Sequence, residues 1–257
     1  MLEILILSLE IMYYEALPLG LEINWDKTKI QGSDFHVANP ALVSVLGNPV
    51  ELVESFTYLG CRIDACGGSE EEILRRIEIA RGCMKSLTKN IWHSSITHSV
   101  KIQLYNTFVL PVLLYGSEMW DVTVKSGKRL DAFDQWCLRH ILQVPFTAHV
   151  TNQEVRFHSA QPPVTHTIRA RRLRYFGHIV RSDSDEDHTR ALNAGIDDPP
   201  KEWRRPRGRP RQTWLRTVEN DLKQQNLGLW SARHRAYDRE LWREIVETAT
   251  LQQGHAT

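Results

Sequence analysis

Through most of the chain beyond Ser69, apolar residues return every three or four positions, which confines that part to helices. Ser69-Glu70-Glu71-Glu72 is a capping-box signature. The hydroxyl accepts from the backbone N–H three residues on, Glu72 reaches back, and the carboxylates meet the positive end of the helix dipole. Ile73, Ile77, Ala80, Met84 and Leu87 then give this helix one apolar face. A second helix is expected around Val100, Leu104 and Phe108, with Pro111 kinking or ending it. A third uses Leu130, Phe133, Cys137, Leu138 and Ile141 and stops near Pro145. Short connections make a compact bundle the natural arrangement.

Helical spacing continues after Pro162-Pro163. On a 3.6-residue wheel Ile168, Tyr175, Phe176 and Ile179 share one face, while Arg171, Arg174 and Arg181 share the opposite one. An acidic loop, Asp183 to Asp187, follows. Trp214, Val218 and Leu222 then mark another helix, and Trp242, Ile245, Val246 and Ala249 a last one.

The first 66 residues read differently, as a helix and then strands. Leu2, Leu5, Ile6, Leu9 and Tyr13 suit an amphipathic helix with Gly20 as its stop. Glu3, Glu10 and Glu15 interrupt the apolar run, which lacks a basic leader and is too short and charged to span a bilayer. Leu21–Trp25 alternates weakly, Gly47-Asn48-Pro49 punctuates, and Val50, Leu52, Phe56 and Tyr58 form a β-favouring run up to Gly60. The fold class is therefore α+β and predominantly α-helical, with a small β segment followed by a helical bundle and a basic helical C-terminal region. The expected divisions are 1–66, 67–160 and 161–257, with a linker at 182–211.

Near-neutral total charge hides a partition. Residues 1–100 carry a net −5, 101–181 a net +6, 182–198 a net −5 and 199–257 a net +5. Positive charge thus sits in two blocks of the second half, where a polyanion would be held. Arg204, Arg205, Arg207, Arg209 and Arg211 crowd one stretch whose prolines keep it extended and unable to bury itself. Clustered guanidinium groups favour polyanion binding. Pro206-Arg207-Gly208-Arg209-Pro210 also matches the core of a minor-groove AT-hook, and equally suits a basic linker or a nuclear localisation signal. Arg171, Arg174 and Arg181 have two readings, a phosphate-backbone contact or a solvated helix face.

The scattered cysteines, Cys61, Cys66, Cys83 and Cys137, form no paired motif and read as free thiols in a reducing compartment. No histidine stands at metal spacing beside them, so no metal site is expected. Of the later tryptophans, Trp214 and Trp242 belong to core stripes, and Trp203 beside the basic run is the stacking candidate. His178, Tyr115 and Glu118 read as structural.

Five segments in order resemble LINE-type (non-LTR) retrotransposon reverse transcriptases, across nearly the whole chain. Gly20-Leu21-Glu22-Ile23-Asn24 with Lys27-Thr28-Lys29 is similar to the palm segment that follows the catalytic aspartates. Phe56-Thr57-Tyr58-Leu59-Gly60 resembles the primer-grip hairpin. Leu110-Pro111-Val112-Leu113-Leu114-Tyr115-Gly116-Ser117-Glu118-Met119-Trp120 resembles the thumb segment. Arg171-Arg172-Leu173-Arg174-Tyr175-Phe176-Gly177-His178-Ile179-Val180-Arg181 resembles the post-thumb motif, and the Arg-Pro run leading to Trp214 and Leu215 the C-terminal segment.

The resemblance implies a palm remnant at 1–66, a helical thumb at 67–160 and a basic C-terminal region. The parent activity, RNA-directed DNA polymerisation, uses two magnesium ions held by aspartates. Those aspartates belong to motifs that this chain lacks, so the chain is expected to be a truncated form, inactive alone and without a cofactor. Lys27 matches a position associated with the departing phosphate; Tyr58, Leu59 and Gly60 match the primer grip. The expected partner is RNA, an RNA–DNA hybrid or DNA, with no membrane and no small-molecule substrate. The expected place is intracellular, the nucleus ahead of the cytoplasm. Two other readings remain: a fragment of a complete polymerase, and a transposon relic without a role.

Overall fold

The computed structural model describes residues 2–32, 42–65, 67–145, 147–197, 204, 213–223 and 225–251. The chain is mostly helical, with small mixed and antiparallel sheets in its N-terminal part. It divides into two compact units, Met1–Glu72 and Ile73–Thr257.

In the first unit, α1 (Leu2–Ala16) precedes β1 (Lys29–Gln31), β2 (Leu42–Val45), β3 (Asn48–Val53), β4 (Ser55–Tyr58) and β5 (Cys61–Asp64). The first three strands form a sheet in the order β1-β3-β2, with β1 parallel and β2 antiparallel to β3. Strands β4 and β5 form a separate hairpin. Ile30, Val45, Val50 and Leu52 make the core, against which Leu2, Ile6 and Leu9 of α1 pack. Leu5, expected on that face, is 40% exposed. Leu21–Trp25 forms no strand. It leads into a turn in which Asn24 Oδ1 accepts from the Lys27 N–H at 3.1 Å.

The second unit begins within α2 (Glu70–Ser86), whose Ile73, Ile77, Ala80 and Met84 are buried as the periodicity requires. The buried Glu72 carboxylate accepts from the Arg62 N–H at 3.1 Å within the first unit. Helix α3 (His98–Leu104) continues through a π-helical segment, Tyr105–Val109, into α4 (Leu110–Leu113). Pro111 therefore does not end the helix. A proline ring collides with the carbonyl four residues back in a regular helix; here the winding widens first, and Pro111 falls in the first turn of α4. The inward face is also not the expected one. Ile102, Tyr105, Val109 and Leu113 are buried, whereas Val100 and Phe108 face solvent. Both stripes have helical spacing, so periodicity alone does not choose between them. Lys101 is buried too, its ammonium donating to the Trp92 and Ser94 carbonyls at 2.7 and 2.9 Å.

Helix α5 (Val124–Ile141) starts at a capping box formed by Thr123 and Ser126, and buries the whole expected stripe. Helix α6 (Asn152–Ser159) starts at a second box, Thr151 with Glu154. There follow α7 (Val164–Val180), α8 (Asp187–Ile196), α9 (Trp214–Lys223), α10 (Leu229–Ala236) and α11 (Arg239–Leu251). Two apolar clusters fill this unit, and α7 serves both. Val164 and Ile168 join the cluster of α2–α5, and Ala170, Leu173, Phe176, Ile179 and Val180 join that of α8–α11. A helix embedded on several sides needs polar residues that are satisfied internally, which decides the fate of its arginines.

Candidate nucleic-acid interface

Among the arginines of α7, Arg172 is the most deeply set. Its guanidinium donates to the Asp221 carboxylate of α9 at 2.7 Å and to the Trp120 carbonyl at 2.9 Å. Burial pushes the Asp221 carboxyl above its ordinary value, and Arg172 pulls it back down. Arg171 donates to the Leu114 carbonyl at 2.8 Å, and Arg181 to the Ala236 carbonyl. Arg174 is exposed. The stripe that the wheel puts on one solvent face is thus divided: Arg171 and Arg181 are half-buried and bind carbonyls, while Arg174 reaches water.

Packing brings further cations to this end of the helix. Trp242 of α11 lies against Gly177, and its indole N–H donates to the Leu173 carbonyl at 3.0 Å. With Trp242 locked there, Arg239 and Arg243 project beside Arg174, His178 and Arg181, and the group lines a cleft of about 470 Å³. Glu247 also borders it. The Arg181 guanidinium is held below its ordinary pKa by desolvation first and by Arg239 second. Guanidinium groups converging in this way repel one another unless an anion neutralises them, and their planar forks match phosphate oxygens. His178, expected as a packed residue, is instead an exposed member of this wall. Sequence reading missed Arg239 and Arg243. The available signal was their spacing of four on the helix that carries Trp242, which places both beside the core stripe.

The other proposed residues lie apart from this cleft in the chain. Arg204 is exposed; Arg205, Arg207, Arg209 and Arg211, with Trp203, lie outside the described residues. Lys27 is exposed in its turn. Tyr58 and Leu59 are 59% and 75% exposed at the tip of the β4–β5 hairpin, with Gly60 completing the turn. Tyr115 lies under the Arg76 guanidinium, 4.4 Å from its ring centre, and the Glu118 carbonyl accepts from the Trp214 indole at 2.7 Å, so this segment is used for packing.

A buried cluster under α5 joins Tyr105, Asp134, Arg156 and Cys137. Tyr105 donates to Asp134, which pairs with Arg156. Burial pushes both the Tyr105 hydroxyl and the Cys137 thiol well up, which keeps them protonated and unreactive. Cys61 and Cys83 are half-buried free thiols; Cys66 lies outside the described residues. Among the described residues no three histidine, cysteine or carboxylate side chains gather to hold a metal ion. No helix among them is long and apolar enough to cross a membrane.

The chain is similar to an uncharacterised transposon-derived protein of Caenorhabditis elegans, 25% identical over an alignment of 246 positions that covers 90% of this chain and 85% of that protein. The likeness supports a transposon origin. No protein-family model and no solved structure matches the chain.

Proposed function

We propose that this transposon-derived chain is a nucleic-acid-binding protein descended from the thumb and C-terminal region of a LINE-type reverse transcriptase. The observation that carries the reading is the cleft between α7 and α11, where Arg174, Arg181, Arg239 and Arg243 converge. Phosphates are its natural occupants, since four guanidinium groups there face one carboxylate, Glu247, and phosphate oxygens accept bidentate donation. Two of these arginines belong to the segment that resembles the post-thumb motif, and the cleft gives that segment a physical use. The basic run at 204–211 adds a sequence-independent attraction. RNA and RNA–DNA hybrid are the preferred substrates of this reading, and it assigns these residues binding alone.

Titration of a labelled RNA–DNA hybrid at several salt concentrations tests it. Log affinity should fall linearly with log salt. The Arg174→Ala/Arg243→Ala variant should bind more weakly and reduce that slope by about one per lost phosphate contact. Binding that ignores salt, or a variant indistinguishable from the wild type, overturns the reading.

A further inference from the structure

The outward face of α5 carries Lys125, Lys128, Arg129, Ala132 and Trp136, all exposed. Trp136 lies outside the buried cluster that the rest of the helix feeds. It is 42% exposed, yet its ring contacts two others. Phe133 stacks on it at 5.8 Å with a 27° interplanar angle, and His140 at 5.8 Å with 13°. His93 continues the row, 5.7 Å from His140. Trp136 borders three separate cavities, of about 980, 1130 and 570 Å³, which surround it with open space.

Basic side chains outnumber acidic ones around the ring. Lys128, Arg129, Arg139, Arg81 and Arg156 line these cavities, against Asp131 and Glu78. The neighbouring acids are engaged elsewhere. Asp131 accepts from the Thr165 N–H and hydroxyl at 3.1 and 2.8 Å, Asp134 is paired with Arg156, and Glu78 with Arg81. In the wall of the largest cavity, the buried Gln135 amide nitrogen has no hydrogen-bond partner among the described residues. A rigid, half-open aromatic ring flanked by cations combines a stacking surface with a path for phosphates.

We propose that this face of α5 is a base-stacking platform for single-stranded nucleic acid, with Trp136 as its anchor. The inference rests on the nucleic-acid reading above but names a second site and a different selectivity. The arginine cleft takes phosphates irrespective of pairing, whereas a base must leave its own stack to lie on Trp136.

The test compares oligothymidylate of about twelve residues with an abasic oligomer carrying the same number of phosphates. The wild type should prefer the base-bearing oligomer by about tenfold. Trp136→Ala should lose that preference while keeping its residual, salt-dependent affinity, and Trp136→Phe should retain most of it. Because Trp136 is 42% exposed and its ring contacts Phe133 and His140, Trp136→Ala should lower the thermal midpoint modestly, while Trp136→Phe, which keeps an aromatic ring there, should hold it and serves as the folded control. Equal wild-type binding of the two oligomers overturns the platform and leaves the phosphate cleft standing. Trp136→Ala with wild-type preference overturns it as well. Failure of the wild type to bind either oligomer, or the hybrid, sinks the nucleic-acid reading itself.

Discussion

Gly177 lies so close beneath the Trp242 indole that a Cβ built on it would stand 2.3 Å from Nε1. The closeness lets the indole reach the Leu173 carbonyl and draws α11, with Arg239 and Arg243, onto α7. Replacing a glycine inside a helix by alanine ordinarily gains up to about 1 kcal/mol. Here the methyl would meet a buried ring with nowhere to go. Gly177→Ala should cost about 1–3 kcal/mol in urea unfolding and weaken hybrid binding by disturbing the cleft. Gly195 is the internal control. Its added Cβ would meet Leu215 Cδ1, the end of a flexible side chain, at the same 2.3 Å. Gly195→Ala should leave stability at or slightly above that of the wild type.

The Arg172–Asp221 pair supports the same helix from its other side. Their side chains are only 4% and 9% exposed, and Arg169 stands 3.3 Å from the same carboxylate. Removing Arg172 leaves the buried carboxylate with Arg169 as its remaining cation, so Arg172→Met should cost up to about 3–5 kcal/mol. Adding Asp221→Asn to that variant should restore part of the loss, because the under-compensated carboxylate is gone. A double-mutant cycle from denaturant curves reads the coupling; additive effects would show that the pair does not act as a unit.

These two relationships show where sequence reasoning stopped. The stripes of α2, α5 and α11 were legible because each faces a single core, so one apolar arc sufficed. Helix α7 faces two cores, and a wheel with one apolar face cannot describe it. Arg172, read only as part of a motif, proved its most buried arginine, and Arg171 and Arg181 bind carbonyls supplied by distant segments. The short helices α6, α8 and α10 carry too few turns to show a period. Trp136 was legible in principle, since it falls outside the arc of Leu130, Phe133, Cys137, Leu138 and Ile141. Its stacked histidines come partly from a loop more than forty residues earlier, which no local pattern reveals.

The β4–β5 hairpin turns through Leu59 and Gly60, with φ of 46° and 80°. Two positive φ values make the primed turn that suits paired strands, and such turns favour asparagine followed by glycine. A leucine there is strained by its Cβ and, at 75% exposure, recovers little by burial. Leu59→Asn should therefore slow amide hydrogen exchange at Tyr58 and Cys61, by roughly 1 kcal/mol of local opening free energy. Faster exchange would mean that the leucine side chain holds the hairpin together. If the hairpin tip touches nucleic acid, the same change should weaken hybrid binding while it stabilises the turn.

His140 gives the protein a stability that depends on pH. Its imidazole is held below the ordinary histidine value by desolvation first and by His93 second. Thr88 Oγ1 stands 3.5 Å from Nε2, Trp136 covers one face, and Arg139 and His149 share the cavity beside it. No carboxylate is among these neighbours to favour the charged ring. The folded state thus binds this proton less readily than the unfolded chain. The stability it contributes is present above the unfolded histidine pKa of about 6.5 and is lost as pH falls through the lowered folded value. Thermal midpoints measured from about pH 8 to about pH 5 should therefore decline on acidification more steeply for the wild type than for His140→Gln, which keeps a polar planar side chain but cannot titrate. Parallel curves for the two proteins would show that another group controls the acid limb.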